Sequence, residues 1–174
     1  EFEDEDIYVQ LVGLKVDDMY HDFLTLKDMY AKELKRFIFK IPINRVGLKV
    51  IKKIKDMDPS LRILGTTVYT FNQALAGIMA GCESLAIYYN RILVSEEDPN
   101  GLIQALSQYK NHHNLDVTLV GASFKTTQQI QEAFMHGIDT CTVSPHLLED
   151  LIEDERVKRD VLKFEKDHMF ISEL

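Results

Sequence analysis

The sequence predicts an α/β fold of the TIM (β/α)8 barrel type, present as about six βα units followed by a C-terminal helix. Three observations predict it. Short apolar runs alternate with longer amphipathic stretches along the 174 residues, the order expected of parallel strands joined by crossover helices. Most of the runs are near-continuously apolar, as strands buried on both faces are. Polar residues recur at the C-terminal ends of different runs: Gln10, Lys40, Thr66, Tyr88 with Asn90 and Arg91, then Ser123 and Lys125. A barrel gathers those ends on one face. The alternative, an open doubly wound sheet, usually carries a Gly-rich phosphate turn, and none of these runs is followed by one.

Taken in order, the predicted strands are Ile7 to Val12, Phe37 to Ile41, Arg62 to Thr66, Ser84 to Tyr89, Val117 to Ala122 and Asp139 to Val143. Between them, Asp17 to Leu34 sets Met19, Phe23, Leu26, Met29 and Tyr30 at helical spacing. Val46 to Ile54 does so with Val46, Val50, Ile51 and Ile54. Phe71 to Met79, Leu102 to Tyr109 and Ile130 to Phe134 continue the pattern. Ala80-Gly81 and His136-Gly137 each put glycine just past a helix, where a left-handed cap is wanted. Ser95 to Gly101 reads as a charged surface loop that caps the next helix. A last helix is expected over residues 155–170. No linker divides the chain, so residues 1–174 read as a single, partial barrel domain.

Composition narrows the function classes. Hydrophobic residues make up 45% of the chain, enough for a core without disulfide or metal staples. Two cysteines, Cys82 and Cys141, form neither a disulfide framework nor a metal set. A net charge of -8 makes nucleic acid and anionic membranes poor general partners, while leaving room for a local basic pocket that binds a small phosphate. The acidic opening, Glu1 to Asp6, has no signal-peptide character, and no apolar run approaches membrane-spanning length; a cytoplasmic protein is expected. His112-His113 invites a metal reading, but adjacent histidines on a helix point apart, and a surface helix end is expected with no metal and no cofactor.

Lys40 is the most informative residue. In Phe37-Ile-Phe-Lys-Ile41, alternation sets Ile38 and Lys40 on one face and the two phenylalanines on the other. If the rings face the helices, Lys40 points into the barrel. Burial lowers the pKa of an ammonium, and a neutral amine can condense with a ketone to a Schiff base. The alternative is a strand-end lysine reaching out to solvent.

Four stretches carry a family resemblance: FKIPINRVGLKVIKKIK over 39–55, LGTTVYTFNQALA over 64–76, AGCESLAIYYNRI over 80–92 and GASFKTTQQ over 121–129. Together, and in this order, they resemble the transaldolase family, and within it the small fructose-6-phosphate aldolase-like branch. The resemblance implies a barrel of the class I aldolase type, a homo-oligomer that acts on a sugar phosphate without a cofactor. It implies Lys40 as the Schiff-base lysine, Thr66 beside the catalytic water, Tyr88 holding that water, and Gln10 as the glutamine of the aldolase branch. Arg91 and Ser123 match the phosphate-binding pair, with Lys125 at the place of a further basic residue. The bland alternatives are a strand-end role for Gln10 and Thr66, and a packing role for Tyr88 with Tyr89. Arg91 could pair with Glu96 or Glu97, and Ser123 could cap a helix near Thr126.

The implied activity is cleavage or formation of the C3–C4 bond of a ketose phosphate such as fructose 6-phosphate. Transfer of the dihydroxyacetone unit between sugar phosphates, in the manner of the pentose phosphate pathway, and non-catalytic phosphosugar binding are the alternatives. The sequence departs from the family in three ways. Its first two βα units, with an aspartate and a Thr-Asn pair, have no counterpart here, and the chain begins without Met; two preceding units are expected in the natural protein. Ile87 stands where close relatives often have proline, and Leu93 replaces an acidic residue. The resemblance also implies that the terminal helix, with Val161, Phe164 and Met169 in an apolar stripe, packs on a neighbouring subunit; the alternative from the stripe alone is a helix folded back on its own barrel.

Overall fold

A computed structural model describes residues 5–172 of the chain, with side chains as far as Met169; residues 1–4 of the acidic opening and the Phe170 side chain lie outside it. Six strands, β1 (Ile7–Gln10), β2 (Phe37–Pro42), β3 (Arg62–Val68), β4 (Ser84–Tyr88), β5 (Thr118–Ala122) and β6 (Thr140–Cys141), form one sheet in the order of the sequence. Every neighbouring pair is parallel. The sheet curls into a half-barrel whose edges are β1 and β6, and it is open between them. This is the partial barrel that the alternating pattern predicts.

The helices are α1 (Val16–Met29), α2 (Arg45–Met57), α3 (Phe71–Ala80), α4 (Tyr89–Val94), α5 (Pro99–His112), α6 (Thr127–Met135), α7 (Pro145–Ile152) and α8 (Glu155–Ser172). Their starts are chemically marked. Asn44 caps α2 by accepting from the Gly47 amide at 2.8 Å, and Thr70 forms a reciprocal capping box with Gln73 at α3. At Gly47 a Cβ would lie 1.9 Å from the Pro42 carbonyl oxygen, so only glycine lets α2 start so close to the end of β2. Gly81 closes α3 with φ +98°, the left-handed cap expected of it.

Several boundaries differ from the sequence reading. The helix expected to reach Leu34 ends at Met29, and Leu34 falls in a separate 3-10 turn, Leu34–Arg36. β1 stops at Gln10, short of Val12; β3 runs on to Val68; β6 is confined to Thr140–Cys141. Tyr89 opens α4 and does not end β4, because the chain turns into a helix immediately after Tyr88. The charged stretch 95–101 is only partly loop: Asp98 caps α5, and Pro99 takes its first turn. A further helix, α7, begins at Pro145 with Ser144 as its cap; the Ser-Pro pair was its signal.

The core lies between the outer face of the sheet and the helices. Phe37, Phe39 and Ile41 of β2, Ile63 of β3, and Leu85 and Ile87 of β4 pack there with Phe23, Val50, Ile51 and Ile54. Phe39 meets Phe23 edge-on at 5.1 Å between ring centres, a geometry that adds about 0.5–1.5 kcal/mol to simple burial. The N-terminal ends of the strands are stitched by charge. Glu83 accepts from the Ile63 amide and pairs with Lys55; Asp139 accepts from the Leu119 amide and pairs with Lys110; Arg62 grips Asp6. Stability devices thus sit at one end of the sheet, which leaves the other end for chemistry.

Among the described residues, α8 shares no extensive packing with any other element of its own chain. Val157, Val161, Leu162, Phe164 and Met169 are each more than half exposed. No helix among the described residues is long and apolar enough to cross a membrane.

Candidate active site

Strand alternation sets the inner face of the half-barrel. Ile38, Leu64, Ala86, Val120 and Ala122 form a small apolar floor, with Tyr88 packed against it. Above the floor, at the C-terminal ends of the strands, lies a cavity of about 620 Å3. Lys40, Thr66, Tyr88, Arg91 and Ser123 line it, together with Tyr8 of β1 and Thr140, Cys141 and Thr142 at the opposite edge. Five of the seven residues singled out in the sequence therefore meet in one place.

Lys40 points inward, as the Phe-Ile-Phe-Lys alternation predicts. It is half-buried and not fully enclosed. Its Nζ has no hydrogen bond or ion pair among the described residues and is free to meet a ligand.

Thr66 is fully buried and donates its Oγ1 hydrogen to the Tyr88 hydroxyl at 3.0 Å. Residue 67 follows with φ +57°, and pairing with β4 slips there. This bulge reverses the alternation, sending Val68 to the helix side while Thr66 stays inside. Tyr88 and its neighbour divide the two roles that the sequence left open. Tyr88 faces the cavity; Tyr89 is buried on the helix side and bonds Asn100 and Glu132 at 2.9 and 2.8 Å. Burial, reinforced by the Glu132 carboxylate, pushes the Tyr89 phenol up to about 12.

Arg91 makes no ion pair with Glu96 or Glu97 among the described residues. Its guanidinium lies 4.7 Å from the Tyr88 ring centre and donates to the Tyr69 hydroxyl at 3.3 Å. Tyr69 meets Tyr88 edge-on at 5.8 Å. Ser123 does not cap α6; Thr126 does, by accepting from the Gln129 amide. Ser123 instead takes φ +66° at the cavity wall.

Two predicted residues lie outside the cavity lining. Gln10 stands beside Lys40 in the strand register, but its amide donates to the Lys40 and Leu11 carbonyls. Lys125 is exposed at the start of α6, where its backbone amide donates to Gln129. His112 and His113 close α5 against Tyr109, and no group of three metal-ligating side chains occurs among the described residues. Sequence reasoning missed Tyr69 and the wall formed by Tyr8, Thr140 and Thr142. The period-two spacing of Thr140 and Thr142 at a strand end was the one available signal.

The charge pattern of the cavity is one-sided. Among the described residues, Lys40 and Arg91 are the only charged ones in its lining, in a chain whose net charge is -8. Low-dielectric walls concentrate such a field and favour an anionic ligand.

Curled parallel strands with helices outside and reactive side chains at the C-terminal rim place the molecule among the (β/α)-barrel proteins. Within that class the chain belongs to the transaldolase/fructose-6-phosphate aldolase family, whose model matches residues 2–173. A GMP reductase from Trypanosoma brucei, solved with guanosine 5'-monophosphate, is similar in fold, with a TM-score of 0.57 and 18% identity. That likeness covers 82% of this chain but 30% of the reductase chain, and at such low identity it concerns the fold alone.

Proposed function

We propose that the cavity is the site of a Schiff-base aldolase that cleaves or forms the C3–C4 bond of a ketose phosphate such as fructose 6-phosphate. The observation that carries this reading is the lining itself: among the described residues it holds one primary amine, Lys40, and one guanidinium, Arg91, and no acidic side chain. Family membership supports the coarser statement, an activity of the aldolase/transaldolase type.

In this reading the unprotonated Lys40 amine adds to the C2 carbonyl, and loss of water leaves an iminium. A water held by the Tyr88 hydroxyl, which Thr66 aims, takes the proton of the C4 hydroxyl as the C3–C4 bond breaks. Its electron pair moves into the iminium to leave an enamine, and the C4 hydroxyl becomes the aldehyde of glyceraldehyde 3-phosphate. The same water returns that proton to C3. Hydrolysis of the imine then frees dihydroxyacetone and restores the amine. Arg91 and Ser123 hold the phosphate far from the reacting bond, an anchor whose binding energy positions C2 against Lys40. Capture of the enamine by a second aldose phosphate would make the same site a transaldolase. The Tyr88 hydroxyl, as a holder of water, favours hydrolysis. The oligomer is proposed to form through the exposed apolar stripe of α8.

The test is to incubate the protein with fructose 6-phosphate, reduce with borohydride and weigh the protein. A covalent adduct that maps to Lys40 is expected, as is free glyceraldehyde 3-phosphate without an added acceptor. Phosphosugar binding with no adduct would replace the aldolase by a binding protein. An adduct with product released only when an acceptor is present would replace it by a transaldolase.

A further inference from the structure

We infer that Gln129 is a positioning residue that clamps the two halves of the anion subsite, the Arg91 helix and the Ser123 turn, at a fixed separation. The inference rests on the reading of that subsite above and adds the group that assembles it. Arg91 and Ser123 come from different βα units, and no bond joins their side chains to each other. Gln129, in the first turn of α6, spans the gap. Its Oε1 accepts from the Lys125 backbone amide at 2.8 Å, two residues beyond Ser123. Its Nε2 donates at 2.9 Å to Oδ1 of Asn90, the residue immediately before Arg91. Both ends of the amide are engaged, and one side chain therefore fixes both segments.

The same device occurs two repeats earlier, in the β3–α3 unit. Gln73, also third in its helix after a capping threonine, accepts from the Tyr69 and Thr70 amides and donates to the Ile43 carbonyl of the preceding unit. In both units the capping glutamine laces its own loop to the segment that follows the preceding strand, at the C-terminal rim. At Gln129 the laced segments are those that carry the proposed phosphate contacts. Gln129 and Asn90 are only partly buried, so water can replace either bond when it is cut. The loss then falls on the spacing of Arg91 and Ser123 and little on folding.

The experiment is a calorimetric titration with inorganic phosphate of the wild type, Arg91→Ala, Gln129→Met, Asn90→Ala and the double variant Arg91→Ala/Gln129→Met. Gln129→Met keeps the volume and removes both bonds; Asn90→Ala cuts only the bond between units and stands in if the first variant folds poorly. Gln129→Met is expected to weaken phosphate by about five- to tenfold, and Asn90→Ala by a smaller factor in the same direction. In the Arg91→Ala background the Gln129 effect should shrink below about twofold, since residues that act through one another are not additive. Undiminished phosphate affinity in both clamp variants, or an equal loss with and without Arg91, overturns the clamp while leaving the subsite standing. Wild-type affinity in Arg91→Ala overturns the subsite itself, and the clamp with it.

Discussion

Thr66 Oγ1 lies 3.0 Å from the Tyr88 hydroxyl, joining the ends of β3 and β4 inside the half-barrel. The threonine has no exposure of its own and serves to aim the phenol, which does face the cavity. Tyr88→Phe is expected to slow cleavage of fructose 6-phosphate by about ten- to a hundredfold and to spare transfer to an acceptor. Thr66→Val should give a smaller loss in the same direction, with stability changed by about 1 kcal/mol. Steady-state rates with and without an acceptor aldose check both; an unchanged cleavage rate in Tyr88→Phe would reduce Tyr88 to a packing residue.

Lys40→Met should eliminate the borohydride-trapped adduct and leave the circular dichroism and melting temperature near those of the wild type. The methionine occupies similar volume, and the lysine has no side-chain partner to lose among the described residues. A reducible adduct that persists in this variant would place the nucleophile elsewhere.

Arg91→Ala should weaken phosphorylated substrates far more than dihydroxyacetone. A hydrogen bond to a charged group contributes about 1.5–3 kcal/mol, so roughly ten- to a hundredfold in kcat/KM is expected. The guanidinium also stacks on Tyr88 at 4.7 Å, which predicts a second, smaller loss with unphosphorylated substrate. Equal losses with both substrate types would point to a general disturbance and against an anion contact.

Alkaline pH should unfold the protein through Tyr89. Its phenol is pushed up to about 12 by burial and by Glu132, whereas in the unfolded chain it titrates near its ordinary value of about 10. The folded state therefore favours the neutral phenol. That stability is complete below about pH 10 and is lost as pH rises towards 12. Cys82, raised to about 12 by burial, adds a loss of the same sign from about pH 9. Urea midpoints between pH 9 and 12 should fall steeply in the wild type and less steeply in Tyr89→Phe; parallel curves would remove Tyr89 from the account.

Light scattering on the full chain should give a multiple of the monomer mass. Paired substitutions Val161→Glu and Phe164→Glu on the exposed α8 stripe should shift it towards the monomer. A monomeric wild type would show that α8 is not an assembly surface under those conditions.

Strand–helix alternation, the inward face of Lys40 and the polar rim are all legible in the sequence. Each follows from local periodicity: two residues per strand repeat, 3.6 per helix turn, and the same face of each strand turned inward. The sequence also carried the family, because the matching stretches keep their order. Relations between units emerge only in the folded molecule. Local pattern could not tell Tyr88 from Tyr89, since the turn into α4 begins between them. It could not show that Thr67 bulges and keeps Thr66 beside Tyr88. Nor could it show that Arg91 turns to Tyr69 and away from the nearby glutamates, or that Lys125 offers only its backbone to Gln129. Periodicity fixes which side of an element a residue occupies. Which groups meet across the barrel depends on strand register, on bulges and on how each helix is capped, and those are settled only when all six strands pack together.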